Sequence, residues 1–241
     1  MDFLSDEQKI YELSRIWKDA EYNFAFWDKV TIDWDEEYRK ALPLVLATQD
    51  TYEYYRELTR FLALLGDGHT GVTPPMEMMQ SAEYYSMFPV YLAWFEKDIV
   101  IVCVSEELKE EIPLFSVVKA IDGVEISQYI QKECYPYIWH TNEDACGNDV
   151  IKELLYGRAE SKAVFTLEKY DNRFDVKLKR QDALGIKWSA SGFFGSKYIE
   201  RQVILDDESC KLDQSSLTQT LCSIILIFLM RRESGIGLKE T

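Results

Sequence analysis

Apolar positions in the first third of the chain recur at helical spacing. Leu13, Ile16, Trp17, Ala20, Phe24 and Trp27 fall at steps of three and four, which puts one apolar stripe on a helix. Asp33 followed by Glu36 predicts a capping box that opens a second helix, with Tyr38 and Leu42 in its stripe. Pro43 is expected to bend or split that helix, because it lacks the N–H of the ladder. Thr51 predicts the N-cap of a third helix that buries Tyr55, Leu58, Leu62 and Leu65. Short connections make such helices antiparallel neighbours, so residues 1–72 read as a small helical bundle.

The period shortens beyond Gly66-Asp67-Gly68-His69-Thr70-Gly71. Pro74-Pro75 and the methionines that follow read as a linker of low regularity. Phe88 to Ser105 then predicts two strands that turn near Glu96-Lys97-Asp98, and Val117 to Ile121 a third, stopped by the Asp122-Gly123 turn. Ile126 to Glu133 and Asp149 to Leu155 read as short helices. Ala163 to Lys169 and Phe174 to Leu178 alternate as a hairpin about Asp171-Asn172. Residues 86–181 thus form a small β-rich domain after the bundle, and the fold class is α+β. Residues 182–241 carry weaker patterning. Within them Leu221 to Met230 is nearly all apolar, too short to span a bilayer comfortably, and reads as a buried strand in preference to a membrane anchor.

Composition narrows the class. The 241 residues include 42 acidic and 27 basic side chains, a formal charge of −15 that argues against nucleic acid and anionic membranes. Five widely spaced cysteines without a Cys-x-x-Cys pair fit a reducing compartment and neither a disulfide framework nor a zinc site. The amino terminus has no basic n-region and no apolar h-region, so as written the chain reads as cytoplasmic.

The candidate chemistry is sparse. Gly66-x-Gly68-x-x-Gly71 matches the dinucleotide fingerprint in letters, but a helix precedes it and Val72-Thr73-Pro74-Pro75 follows, where the fingerprint needs a strand and then a helix. No cofactor is expected. His69, in this glycine-bracketed turn, is either a candidate general base or a structural histidine whose nitrogens bond loop backbone, and its residue pattern alone favours the latter; Asp67 could orient its ring or simply cap a helix end. The other histidine, His140, is expected to pack in the cluster Tyr137-Ile138-Trp139. The carboxylates of Asp33-Trp34-Asp35-Glu36-Glu37 lack the glycine and spacing of a calcium loop and read as a helix start, so no metal site is expected. Ser191-Gly192 and Ser234-Gly235 lack the glycine of a nucleophile elbow.

The order of these features carries a resemblance. Leu64-Leu65-Gly66-Asp67-Gly68-His69-Thr70, preceded by Asp33-Trp34-Asp35 and Thr51-Tyr52-Glu53-Tyr54-Tyr55, resembles the tricorn-like branch of the S41 (C-terminal processing) serine peptidases. Val117-Val118-Lys119-Ala120-Ile121-Asp122-Gly123, Leu154-Leu155-Tyr156-Gly157 and Val176-Lys177-Leu178-Lys179-Arg180 resemble that family's PDZ-like domain. The resemblance covers roughly residues 8 to 180. It implies peptide-bond hydrolysis by a serine nucleophile, with His69 as the catalytic base and a peptide or an unfolded protein C-terminus as partner. It also implies a later α/β domain that carries the serine, of which residues 182–241 show no recognisable part. Ile224-Ile225-Leu226-Ile227 is either that domain's first strand or translation in another frame. Read this way, the chain is an amino-terminal portion, inactive alone. The alternative is a non-catalytic, PDZ-like peptide-binding protein. Many relatives in the family carry an export signal, which keeps a trimmed periplasmic or secreted protein as the alternative to a cytoplasmic one.

Overall fold

The computed structural model describes residues 3–95, 98–138 and 143–189. They form an α+β fold that divides into two compact units. Of the described residues, one unit comprises those up to Ser86 together with those within Ile126–Ala159, and the other comprises those within Met87–Glu125 together with those from Glu160 to Ser189. His140, Ser191, Ser234 and the apolar run from Leu221 lie outside the described residues.

The first unit opens with α1 (Asp6–Asn23), which carries the complete capping box. The Gln8 N–H donates to the Ser5 hydroxyl at 3.3 Å and the Ser5 N–H donates to the Gln8 side chain at 2.9 Å. The predicted stripe outruns this helix. Phe24 is already extended, and Trp27 lies in a 3₁₀ turn (Trp27–Lys29) that keeps its ring edge-on to Phe24 at 5.4 Å. Helix α2 (Trp34–Ala47) begins at Asp33, whose carboxylate accepts the Glu36 N–H at 3.0 Å. Pro43 sits inside α2 without splitting it. Both Pro43 and Arg39, whose carbonyl loses its helical donor, are exposed, so water can take that carbonyl.

Helix α3 (Thr51–Ala63) is capped by Asp50 rather than Thr51. The Asp50 carboxylate accepts the Glu53 N–H at 3.0 Å and also pairs with Arg158, so a negative charge faces the positive end of the helix. Its buried residues are Tyr54, Leu58, Phe61 and Leu62, and Tyr55 is only half-buried. With Leu13, Trp34 and Val45 they form the helical core, in which Trp34 stacks on Phe61 at 4.3 Å. An apolar side chain of this size contributes about 1.5–3 kcal/mol on full burial.

Met76–Met79 is one helical turn (α4), where the sequence suggested irregular linker; the Pro75 carbonyl accepts from Met78 and Met79 at 2.9 and 3.0 Å. Helix α5 (Ile126–Tyr129) runs on as a π-turn (Ile130–Cys134) and a 3₁₀ turn (Tyr135–Tyr137), further than Glu133. Helix α6 spans Glu143–Leu155, six residues longer than its pattern suggests, because Gly147 and Asn148 interrupt the period with weak helix formers. Its residues Cys146, Val150 and Leu154 are buried at a spacing of four.

The second unit holds an antiparallel sheet. Its strands are β1 (Val90–Phe95), β2 (Asp98–Val104), β3 (Val117–Ile121), β4 (Val124–Glu125), β5 (Lys162–Lys169) and β6 (Asn172–Lys179). The order is β1-β2-β3-β5-β6, and β4 pairs with β3. From Ile99 to Val104 every residue of β2 is buried, the mark of a strand covered on both faces. In β5 the buried residues are Ala163, Phe165 and Leu167, the period of a half-buried strand, and Phe165 meets Phe88 edge-on at 5.2 Å.

The two hairpin turns differ instructively. Asp122 and Gly123 both have positive φ (50° and 76°), the pair that a type I′ turn requires. The β5–β6 turn has the same signs at Tyr170 and Asp171, one residue before the expected position. Among the described residues, no helix is long and apolar enough to cross a membrane.

Candidate functional site

The Gly66–Gly71 turn begins where α3 stops. The Leu65 and Gly66 N–H groups donate back to Leu62 and Ala63 at 3.0 Å each, and Gly66 takes φ 62°, so its glycine ends a helix rather than cradling a phosphate. The chain then folds about Asp67. This carboxylate, only 9% exposed, accepts the Thr70 hydroxyl at 2.7 Å and the His69 N–H at 3.3 Å, and the Asp67 carbonyl accepts the Thr70 N–H at 3.4 Å. The Thr70 hydroxyl, aided by the His69 N–H, holds the Asp67 carboxyl below its ordinary value despite burial.

That scaffold presents His69 to solvent. Its side chain is 93% exposed, with Nδ1 at 3.8 Å from Asp67 Oδ1, beyond a direct hydrogen bond. Asp67 therefore shapes the turn. Asp33 and Asp35, the other carboxylates considered, occupy the N-cap and first turn of α2. Among the described residues, no group of three or more His, Cys, Asp or Glu side chains is placed to hold a metal ion.

A second feature of the helical unit was not read from its letters. A cavity of about 660 Å³ is lined by six tyrosines, Tyr52, Tyr55, Tyr84, Tyr85, Tyr137 and Tyr156, together with Arg56, Thr59, Asp149, Lys152 and Glu153. Helix α3 supplies Tyr52, Tyr55, Arg56 and Thr59, positions three, four and seven apart on one face. That stripe is visible in the sequence beside the one assigned to the core. The other walls come from residues that only the fold brings near.

Charge around the cavity is internally paired. Arg56 Nη1 lies 2.5 Å from Glu153 Oε2, and the guanidinium stacks at 3.4 Å over the Tyr137 ring. Lys152 reaches Asp149 at 2.8 Å. At the rim, Arg158 pairs with Asp50 and lies 5.0 Å over Tyr52, which itself stacks on Tyr84 at 5.9 Å. Burial disfavours the charge on Arg56, yet the Glu153 carboxylate, together with Tyr52 and Tyr137, offsets this and holds the guanidinium above its ordinary value. Burial likewise pushes the phenols of Tyr55, Tyr84 and Tyr85 up, so they stay neutral hydroxyls.

The fold of the described residues is shared with solved structures. Solved structures with this likeness include three of CPAF, a serine protease. A point mutant of CPAF matches with a TM-score of 0.58 at 14% identity, covering 73% of this chain and 34% of that one. Mature CPAF complexed with lactacystin matches at 0.57 and 16% identity, over 73% and 35% of the two chains. Mature CPAF gives 0.54 and 16%, over 73% and 34%. The chain thus spans about a third of the length of the structures it matches, and the likeness is one of fold. No family model and no curated protein matches it.

Proposed function

We propose that the chain is the amino-terminal portion of a serine peptidase of the S41 (C-terminal processing, tricorn-like) family, with His69 as its general base. The observation that carries this reading is the fold shared with CPAF over 73% of the chain; beside it stands the exposed histidine of the Asp-Gly-His-Thr turn that follows the third helix. In the reaction proposed, His69 takes the proton of a serine hydroxyl as the serine oxygen bonds to a peptide carbonyl carbon. The imidazolium then gives that proton to the leaving amine as the C–N bond breaks, and water hydrolyses the acyl-enzyme. Asp67 lies on the Nδ1 side of the ring, so Nε2 is the nitrogen for the serine. The serine itself is assigned to sequence outside the described residues, and residues 1–241 alone are expected to be inert.

Two measurements test this. Sequencing the coding DNA from codon 180 onward should reveal, in a shifted or downstream frame, an α/β domain with a serine suited to His69. The protein that includes that domain should cleave unfolded casein, and His69→Ala should lower the rate by about a thousandfold or more. Absence of any such coding sequence, or full activity of His69→Ala, defeats the reading.

A second reading has its own support. The β unit has PDZ-like sequence marks, and among the described residues its sheet ends on β1 and β6, edge strands of the kind to which an extended peptide adds. Binding of peptides with free but not amidated C-termini, without hydrolysis in any restored form, would favour a peptide-binding protein.

A further inference from the structure

The tyrosine cavity of the helical unit plays no part in the peptidase reading, and its chemistry is selective. Its volume, about 660 Å³, lies inside the range of roughly 300–1,000 Å³ typical of ligand pockets. Six tyrosines provide wide, rigid rings that lose little conformational freedom on contact, and each adds a hydroxyl able to donate or accept. Tyrosine is also the residue type enriched where proteins grip other polypeptides.

The charges decide what enters. Two cations, Arg56 and Lys152, and two anions, Asp149 and Glu153, line the walls, and they pair with one another at 2.5 and 2.8 Å. A carboxylate or phosphate would have to break an ion pair to gain a partner. An incoming ammonium fares no better, because the Tyr137 and Tyr52 faces already carry the protein's own guanidinium groups. What remains favourable is uncharged contact with ring faces and edges, plus hydrogen bonds to phenol hydroxyls.

We propose that this cavity is a polypeptide-binding site that takes an uncharged aromatic side chain, with the flanking peptide groups hydrogen-bonded to tyrosine hydroxyls. The inference stands on the helical unit's geometry and is independent of whether His69 is catalytic.

Calorimetric titration of the full chain tests it with a set of capped pentapeptides, acetyl-Gly-Gly-Xaa-Gly-Gly-amide. The Phe and Trp peptides should bind about tenfold or more tighter than the Lys and Glu peptides. Thr59→Trp, which fills the cavity from α3, should abolish binding while circular dichroism stays native. Tyr156→Ala, at an exposed position on the rim, should weaken binding severalfold and guards against a misfolded first variant. Equal affinity for all four peptides, no binding of any, or undiminished binding by natively folded Thr59→Trp overturns the proposal. So does binding of N-acetylphenylalaninamide as tight as that of the Phe peptide, since the occupant would then be a small aromatic molecule.

Discussion

The Arg56–Glu153 pair ties α3 to α6 across 97 residues of sequence, so it measures how firmly Ile126–Ala159 is held on the helical unit. Its side chains are 28% and 22% exposed, between the two regimes for which magnitudes are known. An exposed pair contributes about 0–1 kcal/mol, whereas removing one partner of a fully buried pair costs about 3–5 kcal/mol. Interpolation gives about 2 kcal/mol for Glu153→Gln, which strands the guanidinium but leaves it on Tyr137. Arg56→Met strands the carboxylate and also loses the stacking contact at 3.4 Å, worth about 0.5–2 kcal/mol, so it should cost about 3 kcal/mol. The double variant should cost less than the sum, with a coupling of about 1–2 kcal/mol. Urea denaturation of the four proteins gives the cycle. Hydrogen exchange in α6 locates the effect, because local opening reports one unit even where the whole chain is not two-state. A coupling below about 0.5 kcal/mol, or exchange that accelerates no more in α6 than in β5, would refute the claim that this pair docks the segment.

Three further outcomes follow from the same structure. Lys9 is 2% exposed and its ammonium donates to the Thr48 and Leu46 carbonyls at 2.8 and 3.4 Å, at the carboxyl end of α2; Lys9→Met should destabilise by about 2 kcal/mol in urea, and an unchanged midpoint would discredit this cap. Asp67 has its folded carboxyl held below the ordinary value of 3.8, so its contribution is present above that pH and is lost as pH falls through the lower folded value. Asp67→Asn should therefore cost about 1 kcal/mol at neutral pH and flatten the acid limb of the stability curve; a parallel acid limb in wild type and variant would count against the turn geometry. Burial pushes the Cys134 thiol up to about 12, so peptide mapping after iodoacetamide at pH 8 should find it unmodified in the native chain and modified in urea, and rapid native labelling would contradict its placement.

What the letters disclosed and what they withheld divide along physical lines. The helices were legible because one face of each is apolar at a 3.6-residue period, the β5–β6 hairpin because its strands alternate, and β1 and β2 because they are rich in Val, Ile and aromatic residues. Asp122-Gly123 could be placed to the residue, since glycine is the side chain that accepts φ 76° freely. Tyr170-Asp171 adopts the same turn without glycine, so the register was misplaced by one: β5–β6 pairing, from Lys162 with Lys179 to Lys169 with Asn172, dictates the turn there. Pro43 shows the converse, a local breaker overruled because α2 buries Ala41 and Val45 on one side and turns the damaged carbonyl to water on the other.

The candidate site separates in the same way. His69 could be singled out from the Asp-Gly-His-Thr letters, but its exposure could not, because it depends on Asp67 turning inward to accept from Thr70. A histidine packed against the same turn would read identically. The tyrosine cavity was harder still. Tyr52, Tyr55, Arg56 and Thr59 declare a second face on α3, yet a helix face becomes a cavity wall only when something stands opposite it. What stands opposite includes Tyr137, Glu153 and Tyr156, held on a segment that grammar alone assigned to the β-rich stretch and that packs with the helices. Local periodicity encodes faces, whereas a site requires pairs of faces, and those are fixed by long-range contacts such as Arg56 with Glu153. A variant that loosens that pair without touching a tyrosine should therefore weaken aromatic-peptide binding as well as stability, and the two losses should scale together.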